Sequence, residues 1–163
     1  LHIIIIIIII ITIIMEPIYF YSNTKDIYKT LSNFYFSPIK INDKIYNTVE
    51  HYFQSQKFLD EAYSEKIRLA TTPKQAKFLG SNIKVKLRDD WEKIKIDIMY
   101  KGLSQKFTQH EDLKKILLST NPRNLVENSK YDSFWGQGSD GSGQNMLGKL
   151  LVKLRSEFLK SEK

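Results

Sequence analysis

Three carboxylates stand where this chain could do chemistry. Glu50 lies in "TVEHYFQSQKF" (48–58) among His51, Gln54 and Lys57, and Asp132 and Asp140 lie in or beside "YDSFWGQGSDGSGQN" (131–145). Near a helix N-terminus, Glu50 is held in its ionised form by the dipole. An ionised carboxylate can orient water, act as a base or stabilise a sugar cation. The competing reading is a solvated charge on a capped helix, with Gln54 and Lys57 as its solvated neighbours, and spacing alone favours it. Paired carboxylates are the usual means of hydrolysing a glycosidic bond. An N-glycosidic bond needs less: one anion beside the ribosyl cation and an aromatic face for the base. Trp91 and Trp135 are the tryptophans available, either as core residues or as a platform on which stacking contributes roughly 1–3 kcal/mol per base. The segment around Trp135 carries four of the seven glycines, Gly136, Gly138, Gly141 and Gly143. Free backbone amides before a helix would suit phosphate or ribose. The spacing is neither a P-loop nor a dinucleotide fingerprint, and a plain surface loop is the alternative.

Short strands and helices must position these groups. "IYFYS" (18–22) reads as a strand and "FSPIKINDKIYN" (36–47) as a hairpin turning at Asn42 and Asp43. Asn47 followed three residues later by Glu50 resembles a capping box and starts a helix near Thr48 that runs to about Asp60. Val49, Tyr52, Phe53, Gln56 and Leu59 then share one face, and Glu50, Gln54 and Lys57 another. "TPKQ" (72–75) is a second capping box, with Pro73 at the first helical position and Gly80 as the stop. A helix from about Asp89 to Phe107 is apolar on nearly every side, through Trp91, Ile94, Ile96, Ile98, Met99, Leu103 and Phe107, and should be central. Residues 111–120 form a further helix stopped before Pro122. "NLVE" (124–127) reads as a strand. The last helix starts near Met146 and buries Leu147, Leu150, Leu151, Leu154 and Phe158.

Length and composition bound the rest. A chain of 163 residues fits one domain, and 42% hydrophobic with 26% charged residues describes a globular protein. The absence of cysteine removes disulfides and thiolate nucleophiles and suits a reducing, cytoplasmic setting. His2, His51 and His110 are scattered, so neither a metal nor another cofactor is expected. The net charge of +7 suits a phosphorylated substrate or a polyanion, although lysines spread along helices also describe a solvated face. The first fourteen residues, "LHIIIIIIIIITII", are shorter than the roughly 20 needed to span a bilayer and lack the basic start of a secretory signal. Residues 1–15 are expected to lie outside the fold as a sticky, strand-prone extension, with Met15 the natural start and residues 16–163 the domain.

Taken in order, "LSNFY" (31–35), "VEHYFQSQKF" (49–58), "PKQAKFLG" (73–80), "LRDDWEKIK" (87–95), "MYKGLSQKF" (99–107) and residues 117–155 resemble the NADAR family, also called YbiA-like. The resemblance covers essentially residues 18–158. It implies a compact, helix-rich α+β domain with a small N-terminal hairpin or sheet. It also implies an N-glycosidase acting on ribosylated heterocycles. For YbiA-like members the implied substrates are phosphoribosylamino-pyrimidine intermediates of riboflavin synthesis, cleaved to free pyrimidine and ribose 5-phosphate as metabolite damage control. Other members imply removal of ADP-ribose from guanine in nucleic acid. A non-catalytic NAD or ADP-ribose-binding module is a reading from a different class. Carried over by position, the resemblance marks Glu50 as the carboxylate that activates water or stabilises the ribosyl cation, with Asp132 assisting. It marks Lys57 for a phosphate or sugar oxygen and Trp135 for the base, and adds Asn33, Trp91, Gly136 and Asn145 as substrate-binding. Val49 departs from the small hydroxyl residue expected before the acid.

Overall fold

The computed structural model describes residues 2–161, in which seven α-helices and four short strands give a helix-rich α+β fold. The chain forms two compact units: Asn33–Leu113, and the chain up to Ser32 joined with the chain from Lys114 onward.

In the unit Asn33–Leu113, β2 (Ile39–Ile41) and β3 (Lys44–Tyr46) pair antiparallel, with Ile39 opposite Tyr46. Asn42 and Asp43 turn the hairpin with φ of 49° and 60°. This is the double left-handed turn that Asn and Asp tolerate and that matches strand twist. Helix α2 (Val49–Ser55) follows, and its cap is Thr48, not Asn47. The Asn47 carbonyl accepts the Ser37 amide and so belongs to the hairpin, while the Thr48 hydroxyl accepts the His51 N–H at 3.3 Å. Glu50 therefore sits at the second helical position and closes no capping box.

Helix α2 ends at Ser55, short of Asp60, because Asp60 caps a separate helix, α3 (Glu61–Arg68), by accepting the Tyr63 N–H at 2.9 Å. All seven α2 residues are buried, packed among α3, β3, α4 (Pro73–Gly80) and α5 (Trp91–Gln109). The expected solvated stripe is thus absent from α2: Glu50 is 5% and Gln54 4% exposed, whereas Leu59, assigned to the apolar face, is 72% exposed. Helix α4 has the expected cap, Thr72 accepting the Gln75 N–H at 3.1 Å, with Pro73 opening it. The return half of that box is missing, since Gln75 accepts from Thr71 instead. Helix α5 buries Trp91, Met99, Gly102, Leu103, Lys106 and Phe107. A Cβ on Gly102 would stand 3.0 Å from both Val49 and Tyr52, so glycine lets α5 close onto α2.

In the other unit, β1 (Ile18–Phe20) runs parallel to β4 (Leu125–Glu127), Ile18 opposite Leu125. A 3-10 turn (Ile27–Leu31) follows β1, and α6 (Glu111–Ser119) spans the boundary between the units. Helix α7 (Met146–Ser161) packs on β4 so closely that a Cβ on Gly148 would lie 2.0 Å from the Leu125 carbonyl. Buried Arg155 donates to the Thr120 hydroxyl and the Arg123 carbonyl, both at 2.8 Å, and fixes the turn before β4. The isoleucine run corrects an expectation: His2–Met15 is a helix, α1, not strand-like. A lone strand leaves both edges unpaired, whereas a helix satisfies its backbone within the segment. The opposing helix-propensity cost is below about 0.7 kcal/mol per residue. Ile3 to Ile11 stay exposed along it. Among the described residues no helix is long and apolar enough to cross a membrane.

Candidate active site

Glu50 is held from two sides. Its backbone N–H donates to the Asn33 carbonyl at 3.1 Å, and its Oε1 accepts from Gln54 Nε2 at 2.7 Å, one turn along α2. An ionised carboxylate only accepts hydrogen bonds, so this contact fixes which end of the Gln54 amide faces it. The other end, Oε1, is buried without a hydrogen-bond partner and lies against Gly80. Asn33 is likewise buried, its Nδ2 3.2 Å from the Met99 sulfur and its Oδ1 without a partner. Two buried amide oxygens, on Asn33 and Gln54, thus have no hydrogen-bond partner.

Lys57, just beyond α2, donates from Nζ to the Gly80 carbonyl at 3.2 Å. The ammonium stands 5.8 Å from the Phe53 ring centre and 5.9 Å from that of Trp91. Burial lowers its pKa, and the charge of Glu50 acts in the opposite direction. Trp91 is buried with its ring tilted on Phe53 at 5.0 Å. Lys57, Gly80, Asn82, Leu87 and Trp91 line part of a cavity of about 500 Å³. A neighbouring cavity of about 450 Å³ contains Arg68 and Arg88, but Glu65 and Asp90 already engage their guanidinium groups. Behind Glu50, buried His51 receives the Thr48 hydroxyl at Nδ1 (2.8 Å) and donates from Nε2 to the Ala70 carbonyl (3.0 Å). Burial lowers the His51 pKa, so the ring is neutral and structural.

The glycine-rich loop of the other unit is organised by its own side chains. Asp132 Oδ1 accepts the amides of Phe134 (3.0 Å) and Trp135 (2.7 Å). The half-buried Trp135 ring meets Phe134 edge-on at 4.9 Å. Gly136 is buried, and a Cβ there would stand 2.9 Å from Ser129 Cβ and 3.0 Å from two backbone carbonyls. Asn145 has φ of 49° and uses both ends of its amide on β4, accepting from Glu127 N at 3.0 Å and donating to Leu125 O at 2.8 Å. Asp140 accepts the amide and hydroxyl of Ser142, which lower its pKa.

Most of the loop amides expected to be free are engaged within the protein. The N–H groups of Gln137, Gly138, Gly143, Gln144 and Asn145 donate to backbone carbonyls, and those of Met146 and Leu147, at the start of α7, donate to Phe134 and Trp135. The loop closes on itself because its carbonyls turn inward to meet the helix start that phosphate would have used.

Asn33, Glu50, Lys57 and Trp91 therefore belong to one unit, and Asp132, Trp135, Gly136 and Asn145 share the loop of the other. The sequence reading places Gln54 beside Glu50 only as a solvated neighbour and gives Gly80 no part in the site, whereas Gln54 bonds the acid and lies against Gly80. The available signal was the amide at i+4 from Glu50. Among the described residues no group of three or more His, Asp or Glu side chains could hold a metal ion.

The NADAR domain family model matches residues 19–159. N-glycosidase YbiA of Shigella boydii serotype 4 (strain Sb227) is 48% identical over 139 residues, covering 85% of this chain and 86% of the relative. The chloroplastic riboflavin biosynthesis protein PYRR of Zea mays is 40% identical over 151 residues, covering 83% of this chain but 24% of that longer protein. The solved NMR structure of the E. coli protein YbiA matches with a TM-score of 0.82 and 42% identity, over 91% of this chain and 89% of that one. The chain belongs to the NADAR family. It is an enzyme of the N-glycosidase class.

Proposed function

We propose that the enzyme hydrolyses the N-glycosidic bond of phosphoribosylamino-pyrimidine intermediates of riboflavin biosynthesis, releasing ribose 5-phosphate and the free pyrimidine. The observation that carries this reading is the buried carboxylate of Glu50, held by Gln54 beside Asn33. The riboflavin biosynthesis name of the maize relative supports the substrate class. As the C1′–N bond breaks, its electron pair leaves with nitrogen and positive charge develops on the ribosyl carbon. Ionised Glu50 stabilises that charge and directs water to C1′. The water proton passes to the carboxylate and is returned through solvent to the departing nitrogen, which restores ionised Glu50. Lys57 adds a cation for a sugar or phosphate oxygen, and Trp91 an apolar wall. In the other unit Asp132 holds the turn that carries Trp135. Gly136 and Asn145 shape that turn. The role is disposal of reactive intermediates in the cytoplasm. Release of ADP-ribose from guanine in nucleic acid draws no support from the names of these relatives and is not adopted.

The test is Glu50→Gln, nearly isosteric and uncharged. Wild type is expected to release ribose 5-phosphate from the phosphoribosylamino-pyrimidine, and the variant to lose at least about 100-fold in kcat with an unchanged melting curve. A fully active, normally folded Glu50→Gln would refute the assignment. Absence of ribose 5-phosphate release by wild type would refute the substrate.

A further inference from the structure

We infer that Gln54, seated on Gly80, is the positioning residue for Glu50, and that this contact maintains the carboxylate's reactive orientation. The inference rests on the assignment of Glu50 above. Gln54 Nε2 donates to Glu50 Oε1 at 2.7 Å between two buried side chains. A buried amide can normally turn over, exchanging its oxygen and nitrogen ends. Here a turned amide would aim oxygen at a carboxylate, which has no proton to give. The observed orientation instead leaves Gln54 Oε1 without a hydrogen bond, an arrangement that costs free energy unless the other end gains more.

Gly80 makes this seat. A Cβ on it would lie 1.9 Å from Gln54 Oε1 and 2.7 Å from Gln54 Cδ, so any larger residue would push the amide away from Glu50. Gly80 is the last residue of α4, and its carbonyl receives Lys57 Nζ at 3.2 Å. One glycine therefore sets two groups: its missing side chain admits the amide that orients the acid, and its carbonyl anchors the cation. The amide's role toward Glu50 differs from simple packing between α2 and α4, because a donated N–H favours the charged carboxylate over the protonated one.

Gln54→Met keeps the length and removes the donor, whereas Gln54→Glu restores a donor only while the pair of carboxyls shares a proton. In ribose 5-phosphate release, Gln54→Met is expected to lower kcat by roughly 10- to 100-fold, the range of a misoriented catalytic group. KM should change little, and the acid limb of the pH profile should move to higher pH. Gln54→Glu should exceed Gln54→Met at acid pH and, as the shared proton leaves, lose activity on the alkaline side at a lower pH than wild type does. A role in packing alone would lower the melting temperature of both variants and leave the pH profile in place. Unchanged kcat and pH limbs in Gln54→Met would overturn the inference. So would a Gln54→Glu profile whose alkaline limb matches that of wild type, which decides the matter even if the methionine variant does not fold. Glu50→Gln measured alongside separates the two claims. If it is inactive while both Gln54 variants behave as wild type, only this inference fails; if it is active, the assignment of Glu50 fails first.

Discussion

Asn145 was expected to touch substrate, and the structure gives its amide a different employment, so Asn145→Ala is the most discriminating stability experiment. The side chain bridges two β4 backbone groups, Glu127 N at 3.0 Å and Leu125 O at 2.8 Å, as a neighbouring strand would. Removing it leaves both part-buried groups without that partner, at about 1 kcal/mol or more each. Alanine must also adopt the φ of 49°, at about 1 kcal/mol. The total is about 3–4 kcal/mol, equivalent to a fall of about 6–16 °C in melting temperature for a chain of this size. Thermal unfolding followed by circular dichroism measures it. Asn145→Gly relieves the backbone strain but not the lost hydrogen bonds, so it should recover only part of the loss. An Asn145→Ala variant that melts like wild type while its KM for substrate rises would refute the structural reasoning and return Asn145 to the substrate.

Two further predictions concern pH. His51 is buried, which lowers its pKa below the ordinary 6.5, so on acidification the unfolded chain takes up this proton before the folded one. Stability should fall as pH drops from about 6.5 toward the lowered folded value, and urea midpoints of a His51→Gln variant should show a shallower slope across that window. Lys106 lies in the core beside Tyr35 and Phe107, and burial lowers its pKa to about 7. Between that value and the ordinary 10.5 the unfolded chain holds the extra proton, so this group makes stability rise with pH through the window. Urea midpoints from pH 7 to 9.5 should show this rise in wild type and lose it in Lys106→Met; an equal slope in both would contradict it.

Much of the local structure was legible in the chain. The Asn42–Asp43 turn, the Thr72 cap with Pro73, the end of α4 at Gly80 and the start of α7 at Met146 follow from residues whose backbone preferences act within a few positions. Errors arose where local signals competed. The expected cap was Asn47, but its carbonyl belongs to the hairpin and Thr48 caps the helix instead. The break between α2 and α3 was missed because Asp60 was read as the end of one helix when it begins another. Isoleucine's strand preference in residues 2–15 did not carry over to a segment with no strand to pair with.

For the candidate site, residue types and their order point to Glu50, Lys57, Trp91 and the 131–145 loop, because chemistry is a property of functional groups and the family pattern follows their order. Burial was not legible. Glu50 and Gln54 look like a solvated i, i+4 pair in any isolated helix. Only α4 packing on α2, with glycine at position 80, places that pair away from water and chooses which end of the amide meets the acid. The same limit applies to the loop, whose glycines suggested free donors until the carbonyls of Phe134 and Trp135 took the helix start. Sequence determined which groups exist and which short turns and caps can form, since those energies are local. The tertiary structure decided which groups lose water and which partners they meet, since desolvation and hydrogen-bond pairing depend on segments distant in the chain.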